Sequence, residues 1–436
     1  MANTKLTEKL TAVADAIREK TGKSEKMTLA EMPVEIGNIQ SGGGSAARDY
    51  EVDDVTFYDF DGTIVYSCSM EEAQKLEKLP TPPEHKGLVF QEWNWTLEQI
   101  KSSSVGADVG ALYDTEDGAI VYVLDIQTEY EKTIGIKILN SSDNNTFWPS
   151  VEWGDGQVYN SESEVYDNKV LLEHTYDRTG VYKLKIHKGA PGTCHLRLGN
   201  YGQQFLAANA ESPVRNVLKA VYVGSDCAEI DQSIFYNAHS VQALTFHSKL
   251  TIPNSKLLGQ YLGVKCFVFP PTQTNAYNTF MDSAVEIVSI PPTILIYSGA
   301  NSGCKNIRRV IIPDSVAVLE KMKDMTYCGE MRIGNGLKKI GSYAFSGNSL
   351  PSNTVRKITF PASLTTLETS CLAGMDRVQE YHFKCQNPPA LASSGSIRIN
   401  TFNDVKTKIY VPKGTADAYK SATNWAALAD YIIEEA

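Results

Sequence analysis

Apolar and polar positions along this chain keep three different periods. Leu6, Leu10, Val13 and Ile17 are spaced 4, 3 and 4, one stripe of a helix that Gly22 can end. Thr28 and Glu31 then have capping-box spacing, and Pro33 opens a second short helix with Ile36 and Ile39 on its apolar side. The pattern predicts a helical hairpin over residues 1–40, followed by a flexible Gly/Ser linker over 41–47. From Asp53 the period falls to two, the spacing of strands with one buried face. DVTFYDF and TIVYSCS flank Asp61-Gly62, a pair suited to a type I′ hairpin, and EEAQKLEKL from Glu71 reads as a short helix. ALYDTEDGAIVYVLDI, turning at Asp117-Gly118, and KTIGIKIL continue the sheet, so that residues 48–147 read as a β-rich domain. VEWGDGQVY and LLEHTYDRTGVYKLKI, with turns at Asp155-Gly156 and Gly180, make a second β unit over 148–217.

The third period is long. VQALTFHSKL from Val241, VKCFVFPPTQ from Val264, VEIVSIPPTI from Val285, IRRVIIPDSV from Ile307, EMRIGNGLKK from Glu330, VRKITFPASL from Val355 and VQEYHFKCQN from Val378 repeat one phrase. Their closing hydrophobic residues, Phe246, Phe269, Ile290, Ile312, Ile333, Phe360 and Phe383, are separated by 23, 21, 22, 21, 27 and 23 positions. One such unit cannot bury its own apolar face, so the repeats must stack into a solenoid, here over residues 218–436. A terminal repeat needs a cap against water, and an amphipathic helix with Tyr419, Trp425, Leu428 and Ile432 suits that role. The expected fold is multidomain and mainly β: helical hairpin, β-rich domain, β-sandwich and solenoid.

Composition narrows the function classes. Fifty-one acidic residues against 41 basic ones leave a net charge of -10, which argues against nucleic acid as a partner, since phosphate neutralisation supplies most of that affinity. No run approaches the roughly 18 to 20 apolar residues of a membrane span, so membrane insertion is not expected. The N-terminus lacks an apolar h-region, so a secretory signal is not expected either. Eight dispersed cysteines, with no C-x-x-C pair, read as reduced thiols packed in the repeats. The seven histidines form no spaced set with Asp or Ser, and no catalytic, metal or cofactor residue is expected.

Four motifs carry resemblances. FYDFDGTI, Phe57 to Ile64, resembles the first motif of haloacid-dehalogenase-type phosphatases, which would make Asp59 a nucleophile, Asp61 an acid/base and both of them Mg²⁺ ligands. That chemistry needs later βα units around a doubly wound sheet, and the β-period segments after Ile64 do not supply them. Trp153, Gly154, Asp155 and Gly156, with His174, Tyr176, Gly180 and Tyr182, resemble polycystic-kidney-disease-type immunoglobulin-like modules, implying a small β-sandwich for spacing or interaction. IRRVIIPDSVAVLE, LKKIGSYAFSGNSL and VRKITFPASLTTLETSCLAGM resemble the BspA-like leucine-rich repeat of bacterial surface antigens, with Ile340, Ala344, Phe345, Ile358, Pro361 and Leu364 on the pattern. The stretch from about residue 10 to 101, with Asp59, Asp61, Gly62, Leu79, Pro80, Pro83, His85, Gly87, Leu88, Gln91, Trp93, Asn94 and Trp95, resembles tail- or baseplate-associated structural proteins of phages and prophages of Gram-positive gut bacteria.

That last resemblance implies a non-enzymatic virion protein assembled in the bacterial cytoplasm, a tail fibre or receptor-binding component of the tail or baseplate. Its partners would be other virion proteins and a host-surface protein or glycan, and a homo-oligomer, commonly a trimer in such appendages, would be its form. Leu6, Leu10, Val13, Ile17, Ile36 and Ile39 would then attach it to the virion, while the solenoid tyrosines Tyr261, Tyr277 and Tyr297 would be its candidate host contacts, because exposed aromatics anchor interfaces. Trp93 and Trp95 read as core. The alternatives are a bacterial cell-surface adhesin with the same repeats and, from another class, the Mg²⁺-dependent phosphatase.

Overall fold

The computed structural model describes residues 54–435 except 141–148, 161–168, 189–195, 199–216, 231–239, 251, 253–262, 278, 280–281, 300–302, 323–324, 326–327, 346–354 and 403–404. The helical hairpin expected over 1–40, with its six attachment residues, lies outside them.

The first module holds strands β1 (Val55–Tyr58), β2 (Ile64–Cys68), β3 (Leu88–Trp93) and β4 (Ala107–Thr115), with helices α1 (Met70–Lys75) and α2 (Leu97–Ser102). Each six-residue helix is too short to persist by propensity, and each is started by a capping box: Ser69 Oγ accepts from Glu72 N while Glu72 accepts from Ser69 N, and Thr96 and Gln99 do the same. The sheet order is β2-β1-β4-β3, with β1 and β4 parallel. The β1–β2 connection is not the two-residue type I′ turn expected at Asp61-Gly62. It runs from Asp59 to Thr63, closed by Asp59 N to Thr63 O at 2.8 Å and Gly62 N to Asp59 O at 3.0 Å. Gly62 alone of the pair takes a left-handed φ, +93°. The longer loop lets Phe60 turn inward, edge-on to His85, Tyr113 and Tyr222, which a two-residue turn would leave in solvent.

Beyond β4 the chain changes sheets rather than continuing one. Gly118, at φ +78°, carries it into β5 (Ile120–Ile126), which pairs with later strands and not with β4. With β6 (Thr133–Asn140), β7 (Ser150–Glu152), β8 (Val158–Asn160), β9 (Lys169–Thr175), β10 (Gly180–His187), β11 (Leu196–Leu198), β12 (Leu218–Val223), β13 (Cys227–Ile230) and β14 (Ala243–Phe246), it builds two sheets, β14-β12-β5-β10-β7-β8 and β13-β11-β6-β9. The pairings run across residues 148 and 217. Within them Trp153 stacks on His174 at 4.5 Å, His174 Nε2 lies 2.7 Å from Asp155 Oδ2, and Tyr176 donates to Trp153 O at 2.8 Å.

β14 belongs to that sheet and also begins the repeats, so one core continues from the sheets into the solenoid. From there β15 (Cys266–Val268), β16 (Asn275–Tyr277), β17 (Ile287–Ser289), β18 (Ile296–Ser298), β19 (Arg309–Ile312), β20 (Val318–Glu320), β21 (Glu330–Ile333), β22 (Lys339–Ile340), β23 (Lys357–Phe360), β24 (Thr366–Leu367), β25 (Glu380–Phe383) and β26 (Ala390–Leu391) alternate between two faces. Odd strands pair in parallel as β15-β17, β19-β21 and β23-β25, and even strands make one parallel sheet, β16-β18-β20-β22-β24-β26. All seven closing hydrophobic residues are buried. Proline follows the odd strands β15, β17, β19 and β23, where it cannot extend a ladder, and begins a tight turn at Pro291, Pro313 and Pro361: Ile294 N to Pro291 O at 3.2 Å, Val316 N to Pro313 O at 3.1 Å, Leu364 N to Pro361 O at 3.2 Å. Two odd strands, β21 and β25, are not followed by proline; the chain after β21 turns on Gly334 instead, where a Cβ would meet Asp314 N at 2.6 Å.

After a small hairpin, β27 (Thr401–Phe402) and β28 (Val405–Lys406), the odd face is completed by β29 (Lys408–Val411) and β30 (Ile432–Glu434), joined by α3 (Ala416–Ser421) and a 3₁₀ turn, Ala426–Tyr431. The closing segment is therefore not the single amphipathic helix expected. Ala422 caps α3 in an extended conformation, Asn424 takes φ +65°, and the last residues pair with the edge of β29, whose backbone groups would otherwise face water unpaired. Tyr419, Trp425, Leu428 and Ile432 are all buried there.

Candidate binding surface of the solenoid

The first module covers part of the odd face. Asn94 sits at the junction, 1% exposed, with every polar group used: Nδ2 donates to Phe269 O at 3.0 Å and Ser289 O at 3.3 Å, and Oδ1 accepts from Gly110 N at 2.8 Å and Ser289 Oγ at 3.0 Å. Trp95 Nε1 donates to Ile290 O at 3.0 Å, and Gly110 lies so close to Val268 that a Cβ would approach it to 2.4 Å. Asp108 on β4 and Arg309 on β19 form an ion pair whose side chains are 3% and 2% exposed. Leucine at Asn94 should cost about 1–3 kcal/mol, since the buried Gly110 N–H loses the acceptor that Asn94 Oδ1 supplies. Urea unfolding of the full chain measures it.

Coverage stops at β21. Ile311 faces outward yet is 3% exposed beneath the module, whereas its neighbour Arg332 reaches the rim, 2.7 Å from Asp54. From Arg332 the open face runs through Thr359, His382 and Tyr410 to Ile433, and a parallel row carries Glu330, Lys357, Glu380 and Lys408. A cavity of about 660 Å³ lies where the module's edge, Ser104 and Val105, meets this face, lined by Glu330, Arg332, Arg356, Lys357, Thr359 and Lys384 among others. Asp314 fixes that edge by accepting from Ser104. His382 stacks on Tyr410 at 4.5 Å and lies 3.0 Å from both Glu380 and Glu435.

Lys384, 2.7 Å from both carboxylate oxygens of Glu435, holds that carboxyl below its ordinary value of 4.5, with His382 adding to the effect. A depressed acid contributes stability that is present above its unfolded pKa and lost as pH falls through its folded one. The unfolding temperature of the full chain should therefore drop below about pH 4.5, and Glu435→Gln should flatten that part of the profile.

The tyrosines proposed as host contacts do not gather on this face. Tyr297 is fully buried in the core, a correction with a simple cause: the strand Ile296–Ser298 is only three residues long, too short for its alternation to fix in the sequence which face is inward. Tyr277 is partly buried on the even face, and Tyr261 lies outside the described residues. The residues that do line the open face were missed, although the charged positions between buried ones, Lys357 beside Ile358 and Glu380 beside Tyr381, could have marked it.

The D-x-D-G-T carboxylates are occupied structurally. Asp59, 2% exposed, accepts from Phe60 N at 2.9 Å and meets His85 Nε2 at 2.7 Å, while Asp61 Oδ1 accepts from Thr63 N at 2.8 Å inside the turn. Burial raises the pKa of Asp59 against the opposing pull of these partners. Among the described residues no group of three or more His, Cys, Asp or Glu is placed to hold a metal. Trp93 and Trp95 are buried. Seven of the eight cysteines are described, all of them buried, and burial pushes the Cys304, Cys328 and Cys371 thiols up to about 12.

This is the architecture of a leucine-rich-repeat solenoid. Residues 215–323 and 322–406 match the BspA type leucine rich repeat region, in six copies, so the C-terminal part of the chain carries a BspA-like repeat domain. Among solved structures the chain is similar to a leucine-rich repeat protein from Bacteroides ovatus, at 16% identity and a TM-score of 0.31, over 44% of this chain and 55% of that one. It is also similar to the pneumococcal vaccine antigen PcpA, at 15% identity and a TM-score of 0.26, over 48% of this chain and 66% of that one. The likeness thus spans just over half of the first protein. No curated protein matches the chain.

Proposed function

We propose that this chain is a non-enzymatic recognition protein of the BspA-like kind, an adhesin that binds a cell-surface ligand through the open half of the odd face. The observation that supports it is the contrast along one face: β15 to β19 lie under the first module, while β21 to β29 present charged and aromatic side chains beside a 660 Å³ cavity. Cavities of this size are typical of ligand sites. Thr359→Trp fills the cavity from an exposed strand position, and Tyr410→Ala removes the aromatic from the row. Each should cut binding of the labelled full chain to target cells at least tenfold while leaving the unfolding midpoint unchanged, and undiminished binding in both would overturn the assignment.

A virion tail or baseplate component is the second proposal, carried by the resemblance over residues 10 to 101. Trp93, Asn94 and Trp95, which share in that resemblance, bury themselves at or beside the module's contact with the solenoid, so they need no virion partner to account for them. Immunogold labelling decides between the two: label on tail tips of particles moves the assignment to the virion, and label on the bacterial envelope keeps the adhesin.

A further inference from the structure

Taking the recognition assignment above as its basis, we infer that the cavity beside Val105 holds a neutral saccharide whose hydroxyls bond main-chain groups facing a break in the odd-face ladder. Among the described residues no ladder joins β21 to β23: β21 closes the sheet β19-β21, and β23 begins the sheet β23-β25-β29-β30. On β21, Glu330 N donates back to Arg308 O at 3.2 Å and Gly334 N to Ile312 O at 2.9 Å, so the alternate residues Met331 and Ile333 point their main-chain groups the other way, toward β23. On β23, Arg356 O and Phe360 O accept from the following repeat, from Glu380 N and Lys384 N at 3.0 Å each, so Lys357 and Thr359 point theirs toward β21. All four of these residues line the cavity.

One break earlier, the molecule shows how such groups are used. β17 and β19 also belong to different sheets. Ser289 O accepts from Phe269 N at 3.1 Å, on the β15 side, so Ile290 O, next along the chain, is on the β19 side, and there the first module supplies its partner: Trp95 Nε1 donates to it at 3.0 Å. Ile333 holds the same repeat position as Ile290, at the break that the module's edge leaves open. Buried main-chain donors and acceptors require partners, and a hydroxyl, which both donates and accepts, serves either kind. Thr359 and Asn335 add uncharged side-chain donors and acceptors to the same lining.

The charges around the cavity favour an uncharged ligand. Arg332 lies 2.7 Å from Asp54 and 2.6 Å from Glu330, Lys384 lies 2.7 Å from Glu435, and Asp314 accepts from Ser104. Lys357 stands between Glu330 and Glu380, which hold its own repeat position on the neighbouring odd strands. Carboxylates thus offset these cations, and Coulomb attraction does not select an anion. An extended peptide also reads main chain, but strand addition needs a longer free edge than the two residues each strand offers here.

The test titrates the full chain with lactose, maltotriose, mannotriose and chitotriose, with sialyllactose as the acidic counterpart and the peptide Ala-Thr-Val-Thr-Ala as the extended one. Calorimetry should show at least one of the four neutral sugars binding, with an affinity that changes less than about twofold as salt rises from about 0.05 to about 0.5 M, because no charge is neutralised. Amide exchange of the full chain should slow over β21 and β23 when that sugar is bound, and Lys357→Gln should leave its affinity unchanged. Thr359→Pro removes one N–H that faces the break and none from the β25 ladder, so it should weaken that sugar at least tenfold relative to Thr359→Ala. If the proline variant does not fold, the exchange measurement decides. No binding by any of the four neutral sugars, tenfold tighter binding of sialyllactose than of lactose, tighter binding of the peptide than of every sugar, or sugar binding that leaves exchange in β21 and β23 unchanged would overturn the ligand class. If Thr359→Trp abolishes cell binding and none of the four neutral sugars binds, the recognition assignment stands and the neutral saccharide falls. If Thr359→Trp and Tyr410→Ala both leave cell binding intact, both fall.

Discussion

Replacing Asp108 with alanine is expected to destabilise the full chain by about 3–5 kcal/mol, because the change leaves the Arg309 guanidinium in the junction without its counter-charge. The two side chains are 3% and 2% exposed, so water reaches neither. Burial works against the charge of Arg309, and Asp108 more than offsets it, holding the guanidinium above its ordinary value. The pair itself is not thereby a large net stabiliser: bringing two charges out of water costs nearly what their attraction returns. The asymmetry is the point of the measurement. Arg309→Met in the Asp108→Ala background should recover most of the loss, and a double-mutant cycle in urea should therefore show a coupling energy of about 3 kcal/mol or more. A single-variant loss below about 1 kcal/mol would mean that the junction opens readily and that the module is not fixed on the solenoid.

This ion pair also shows where a sequence stops being legible. Asp108 and Arg309 lie 201 positions apart, and each is of a type that is almost never fully buried unless paired, so nothing local announces that they meet. The repeats were readable for the opposite reason. Phe269, Ile290, Ile312 and their equivalents each occupy the same place in a unit of nearly constant length, and stacking demands that place be apolar. The even face gave no period of its own because its strands are two or three residues long: Leu367 and Leu391 are single inward side chains, and Ile340 was marked only through the repeat resemblance.

The candidate site was illegible at a further level. Which stretch of a repeated face binds depends on what covers the rest, and that is decided by Asn94, Trp95 and Asp108 in a different module. The aromatic signal misled at Tyr297, where burial won, and the cations that line the cavity belong to strands read only as repeat units. Motif reading met the same limit at Asp59. D-x-D-G-T describes a short loop between a strand and the next element, and a hairpin with an inward phenylalanine satisfies that description as well as a phosphatase does.

Trp425→Ala should cost about 3–5 kcal/mol, and the loss should be uneven along the molecule. Trp425 is 1% exposed, donates from Nε1 to Pro389 O at 2.8 Å, and lies edge-on to Phe383 at 5.2 Å and Tyr419 at 5.0 Å. It thus plugs the open end of the last repeat, where the core would otherwise meet water. In a stacked array each repeat is supported mainly by its neighbours, so an unplugged end frays inward one unit at a time. Hydrogen exchange should therefore lose protection first in β30 and β29, then in β25, while β1 and β4, held by the Asp108 junction at the other end, keep theirs. Because Tyr410 and His382 stand on β29 and β25, the same variant should weaken ligand binding although Trp425 touches none of the open face. Uniform loss of protection from β1 to β30 would instead mean that the sheets and the solenoid, which share one core through β14, unfold as a single cooperative unit.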